Sequence, residues 1–91
     1  MAQLIRVMIV DDHDMIRRGL ATFLSGFDDL VLVGEASNAQ EAIRVCSEVQ
    51  PHVILMDMFL PNMDGVTLTR TIRAQHPNVQ VVILTLSLIH I

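Results

Sequence analysis

Two apolar runs in this chain stop abruptly on aspartate: Leu4–Val10 runs into Asp11-Asp12, and Val53–Met56 runs into Asp57. Runs this apolar and this rich in Val and Ile predict strands covered on both faces, the habit of parallel sheets rather than antiparallel ones. Leu30–Glu35 and Val79–Leu84 are two further runs of strand length. The stretches between the runs carry helical spacing instead. Met15, Ile16, Gly19, Leu20, Phe23 and Leu24 form one stripe, with Arg17 and Arg18 off it and Gly26 closing it. Ala39, Ala42, Ile43, Cys46 and Val49 form a second, which Asn38 and Glu41 open with capping-box spacing and Pro51 ends. A third helix is expected over Val66–Gln75, broken by Pro77-Asn78. The order βαβαβαβ predicts right-handed crossovers and an α/β fold, a doubly wound parallel sheet. A length of 91 residues with 52% apolar content fits at most one domain with a packed core.

Charge and cysteine usage narrow the function classes. All six cations are arginine, set against ten acids for a net charge of −4, and no basic run exists for a nucleic-acid backbone to meet. Direct nucleic-acid contact by this segment is therefore not expected. A single cysteine excludes an internal disulfide framework and a multi-cysteine zinc site. Cys46 lies within an apolar helical stripe and reads as a buried structural thiol, which fits a cytoplasmic location. The apolar residues before Asp11 are too few for a signal peptide, and no run approaches the roughly 18–20 residues of a membrane span. The chain reads as soluble, without membrane contact.

The strand-end carboxylates carry the chemistry. Ligands of open parallel α/β sheets sit beyond the carboxyl ends of the strands, near the point where strand order reverses. Taken singly, Asp11 or Asp12 would be a helix N-cap and Asp57 a turn residue. A doubled Asp-Asp plus a third acid on a neighbouring strand exceeds what capping needs. Like charges a few ångströms apart raise one another's pKa unless a cation holds them, and carboxylate oxygens with water are what magnesium prefers. A carboxylate held in this way is a competent nucleophile for a phosphoryl group.

Ile9-Val10-Asp11-Asp12-His13, Val53-Ile54-Leu55-Met56-Asp57, Leu60-Pro61-Asn62-Met63-Asp64-Gly65 and Thr85 together resemble a response-regulator receiver domain of two-component signalling. Val33-Gly34-Glu35-Ala36 and Arg73-Ala74-Gln75-His76-Pro77 are similar to the LuxR-type branch, whose receivers precede a helix-turn-helix DNA-binding domain. The resemblance spans residues 4–85 and implies the flavodoxin-like (CheY-like) strand order 2-1-3-4, the fifth strand being absent. It implies Asp57 as phosphoacceptor, Asp12 and Asp57 as direct Mg2+ ligands, Asp11 as a water-mediated one, Phe59 as a ligand through its backbone carbonyl, and Thr85 as the switch hydroxyl. Pro61 and Gly65 are implied as loop-shaping residues. The implied partner is a sensor histidine kinase, and the implied output is transcription regulation through a DNA-binding domain outside this segment. Such a domain is not a turnover enzyme: it catalyses at most its own aspartyl phosphorylation and dephosphorylation.

Residues 1–85 are thus expected to be a partial receiver, and 86–91, Leu-Ser-Leu-Ile-His-Ile, an apolar tail foreign to the family, either non-native sequence from truncation or fusion, or a strand extension. The family's lysine is missing, because the chain has no lysine at all. Asp11, Asp12 and a phosphoryl group of about −2 then total about −4 against +2 from magnesium, so a weak or short-lived modification is expected. An exposed fourth strand predicts self-association. His13 reads as a solvent-facing loop residue, and His52, His76 and His90 lack metal-site spacing. Two alternatives remain: a non-phosphorylated receiver-like interaction module, and a haloacid-dehalogenase-like phosphatase, whose Asp-x-Asp motif is not met because position 59 is Phe.

Overall fold

The structure, a computed structural model, describes residues 3–85. Strand and helix alternate in the predicted order: β1 (Ile5–Val10), α1 (Asp14–Leu24), β2 (Leu30–Ala36), α2 (Ala39–Val49), β3 (Val53–Asp57), α3 (Gly65–Gln75) and β4 (Gln80–Leu84). The four strands form one parallel sheet in the order β2-β1-β3-β4, as expected. The expectation for residues 86–91 lies outside the described residues. No helix of the described residues is long and apolar enough to cross a membrane.

The helix boundaries follow from local chemistry. Asn38 caps α2 by accepting the Glu41 N–H at 2.9 Å, while the Glu41 carboxylate reaches back to the Ser37 N–H at 2.8 Å. This is capping-box reciprocity displaced by one residue, and it satisfies two donors that a helix start leaves open. At the other end, Gln50 adopts a left-handed conformation with φ 51° and donates its N–H to the Cys46 carbonyl, ending the helix before Pro51. Asp64 caps α3 through the Thr67 N–H at 2.8 Å. That bond holds the exposed Asp64 carboxyl below its ordinary range.

The core sits mainly between the sheet and the pair α2 and α3, where Met8, Val10, Ile54 and Met56 from β1 and β3 meet Ala42, Cys46, Leu68 and Ile72. Cys46 is buried, as its place in the stripe predicts, and burial pushes its thiol pKa up. Gly34 permits this packing, since a Cβ there would lie 2.7 Å from Val45 Cγ1. The opposite face holds a smaller cluster, Val7, Ile9 and Leu24, flanked by Leu20, Leu30, Leu32 and Leu55.

The α1 stripe departs from its expectation. Leu24 is buried and Ile16 and Leu20 partly so, whereas Met15 is 80% exposed and Phe23 63%. Only the i, i+4, i+8 row of Ile16, Leu20 and Leu24 turns toward the sheet. The neighbouring row, Met15, Gly19 and Phe23, runs along the open flank, where Phe23 stacks edge-on against Phe27 with centroids 5.1 Å apart. Periodicity locates an apolar face but not the width of the surface available to cover it.

Candidate functional site

Sheet register brings the carboxylates together. Val10 of β1 pairs with Met56 of β3, so Asp11 and Asp57 are the next residues along two adjacent strands. Asp11 remains tied to β2 through its N–H to the Ala36 carbonyl at 3.0 Å. Asp11 is 2% exposed and Asp57 4%, the only buried charged residues among those described. Asp12, at the rim, keeps 30% of its side chain in solvent. One ligand atom from each of Asp11, Asp12, His13 and Asp57 falls within 4.8 Å of the others. This is the convergence that the strand-end positions predict.

Asp57 Oδ1 accepts the Phe59 N–H at 3.1 Å, but Oδ2 is buried and has no hydrogen-bond partner. Burial pushes the Asp57 pKa up, and the negative Asp11 and Asp12 push it further, while the Phe59 N–H and His13 oppose the rise. Orphaned buried carboxylate oxygens are rare in folded proteins and need a partner that the polypeptide does not supply. A hard divalent cation fits this donor set, which is all oxygen apart from one imidazole.

The loop after β3 is built around the same residue. Gly65 sits where α3 presses on the end of β3: a Cβ there would meet the Asp57 carbonyl oxygen at 2.5 Å and Met58 Cα at 3.0 Å. Its N–H donates to the Met58 carbonyl at 2.8 Å, and Phe59 bridges to Asp64, closing the loop on itself. The expected turn role of Gly65 therefore becomes a close-approach role, since its φ is not positive. Pro61 is exposed within this loop, and the Phe59 side chain is half exposed. Thr85 is the exposed residue that follows β4. Because Leu84 pairs with Asp57, Thr85 stands at the same carboxyl end of the sheet.

Two residues near the site were not legible as such in the sequence. His13, expected to face solvent, is half exposed, but its Nδ1 lies 2.7 Å from Asp11 Oδ1, 3.2 Å from Asp12 Oδ1 and 4.0 Å from Asp57 Oδ2. The hydrogen bond to Asp11 raises the His13 pKa, and the surrounding carboxylates add to the rise. His13 occupies the N-cap of α1, and its N–H donates to Asp11 Oδ1 at 2.8 Å, which folds the ring back over the strand end. The Asp-Asp-His succession was the available signal. Arg17, placed off the apolar stripe, donates to the Asp11 carbonyl at 2.5 Å and also pairs with Asp14 and Glu35. It clamps the start of α1 to the ends of β1 and β2.

A cavity of about 540 Å³ lies at the opposite end of the sheet between Gln50–Val53 and Gln75–Gln80. It gathers no carboxylates. His52 within it is engaged through Nδ1, which accepts the Arg6 N–H at 2.9 Å.

Comparison with known proteins gives a consistent answer. The transcriptional regulatory protein LiaR of Bacillus subtilis is 42% identical over 82 residues, covering 90% of this chain and 39% of that protein. The response regulator GacA of Pseudomonas viridiflava is 39% identical over 82 residues, 90% of this chain and 38% of that protein. The chain thus spans well under half the length of these curated relatives. Among solved structures, a LuxR-family two-component response regulator from Aurantimonas sp. SI85-9A1 superposes with a TM-score of 0.84 at 33% identity, over 89% of this chain and 58% of that one. The model of the response regulator receiver domain matches residues 7–88. With its parallel 2-1-3-4 sheet and its acidic cluster at the strand ends, the chain belongs to the response regulator receiver domain family.

Proposed function

We propose that this domain accepts a phosphoryl group on Asp57 from a sensor histidine kinase and, within a longer cytoplasmic protein, regulates a DNA-binding output domain that controls transcription. The observation that carries this reading is Asp57 Oδ2, buried and without a partner, facing Asp11 and Asp12. Residues 1–85 then constitute the receiver portion. Asp12, Asp57 and the Phe59 carbonyl would hold Mg2+ directly, and Asp11 would hold it through water. Bound magnesium neutralises charge on the transferring oxygens.

The chain's own residues do the rest. Asp57 accepts the Phe59 N–H through Oδ1, which orients its carboxylate at the end of β3 for attack. Attack in line on the phosphorus of a phosphohistidine forms a P–O bond as the P–N bond breaks, and the imidazole departs as the leaving group. Thr85, which follows the neighbouring strand, would offer its hydroxyl to a phosphoryl oxygen. The new charge then biases a surface that other domains read. Position 59 offers no second carboxylate as a general acid, so sustained phosphatase turnover is disfavoured.

Intact-mass measurement after incubation with acetyl phosphate and magnesium tests the proposal. One phosphoryl adduct is expected on the parent and none on Asp57→Asn. No adduct on folded parent, or an adduct that survives the substitution, refutes it.

A further inference from the structure

His13 is the group at the site that the proposed transfer leaves unused. The other histidines among the described residues have ordinary partners: His52 Nδ1 accepts the Arg6 N–H, and His76 Nε2 lies 3.3 Å from Ser47 Oγ. His13 Nδ1 hydrogen-bonds Asp11 Oδ1 at 2.7 Å but also lies 3.2 and 4.0 Å from oxygens of Asp12 and Asp57, so it faces three carboxylates at once. Donors bound to one ion at 2.0–2.1 Å stand about 3.0 Å apart when adjacent and about 4.2 Å apart when opposite. The three His13 separations lie near those limits, so the imidazole stands within reach of an ion held among the carboxylates. The second observation is independent of His13: the buried, partnerless Asp57 Oδ2 is aimed into the same space.

We infer that His13 Nδ1 is a nitrogen ligand of this site, through which it takes borderline-soft divalent transition ions such as Co2+ by a bond that Mg2+ does not use. The inference rests on the reading of Asp11, Asp12 and Asp57 as a cation site. Magnesium selects oxygen donors and keeps its waters, whereas imidazole suits the later first-row ions. Carboxylates alone favour Co2+ over Mg2+ to some degree, so preference by itself does not identify the nitrogen. The distinguishing property is a dependence on His13 that differs between the two ions. No side-chain hydrogen bond from His13 caps α1, so truncating it removes no helix cap.

Calorimetric titration of the parent, His13→Ala and His13→Gln with MgCl2 and with CoCl2 tests this, with far-UV circular dichroism to verify folding. Loss of a metal-site partner typically weakens binding by about tenfold or more. Both variants are expected to lose about that factor for Co2+ while Mg2+ affinity changes by less than about twofold. In the Co2+ complex, proton NMR should show a paramagnetically shifted imidazole N–H signal that disappears in both variants. If both ions bind the parent and both weaken equally in the variants, or if Co2+ binding is indifferent to His13, this inference fails and the carboxylate site stands. If neither ion binds, the cation-site reading falls with it.

Discussion

Replacing Asp57 by asparagine is expected to stabilise the metal-free protein at neutral pH, although the position is 4% exposed and polar. The parent holds an anionic oxygen there with no hydrogen-bond donor, beside two further carboxylates. An unpaired buried polar atom costs about 1–3 kcal/mol, and more when charged. Asparagine keeps an oxygen to accept the Phe59 N–H and turns a neutral amide, a hydrogen-bond donor, toward Asp11 and Asp12. A gain of about 1–2 kcal/mol follows, at roughly 4–8 °C of melting temperature per kcal/mol for a domain of this size. Circular dichroism during urea and thermal unfolding reads it, since the chain has no Trp or Tyr.

The pH dependence fixes the cause. The folded-state pKa of Asp57 lies above its ordinary value, raised first by burial and then by Asp11 and Asp12, against the opposing Phe59 N–H and His13. Between the unfolded and folded values the native state binds more protons, so stability falls as pH rises through that window and the full penalty stands above it. Below the ordinary carboxylate value of about 3.9 both states are protonated and the penalty is gone. The difference between Asp57→Asn and parent should therefore be largest at neutral pH and shrink toward pH about 3–4. A variant less stable than parent at neutral pH without metal, or a difference that ignores pH, would overturn the electrostatic account of the site.

Gly65→Ala places a methyl 2.5 Å from the Asp57 carbonyl oxygen and should cost about 1–3 kcal/mol by overpacking, despite the better helix propensity of alanine. An unchanged or raised urea midpoint contradicts the close approach of α3 to β3. Among the described residues β4 is a sheet edge, and Val82 is 47% exposed on it, so this 91-residue segment on its own is expected to self-associate. Sedimentation velocity over a wide concentration range checks this, and a lone monomer boundary at the highest concentration counts against it.

Element order and type were legible because they depend on local periodicity. Leu4–Val10 and Val53–Met56 are apolar enough to need cover on both faces, and Asn38 with Glu41 marks a helix start whatever surrounds it. The aspartates were legible for the same reason: each follows directly from the end of a strand. Gly65 was legible only as a turn former, because the crowding that excludes a side chain comes from the backbone of β3. Met15 and Phe23 share helical spacing with Leu20 and Leu24, and the shape of the packed sheet alone decides which row is covered.

The sequence by itself determined which residues are strand, helix and strand-end acid, since those properties depend on neighbours a few positions away. Tertiary structure decided the Val10–Met56 register, the partnerless burial of Asp57 Oδ2 and the return of the His13 ring over the carboxylates. Each of these depends on the distance between groups brought together by separate elements. Electrostatic and steric energies vary steeply with that distance, and residue spacing along a chain does not specify it.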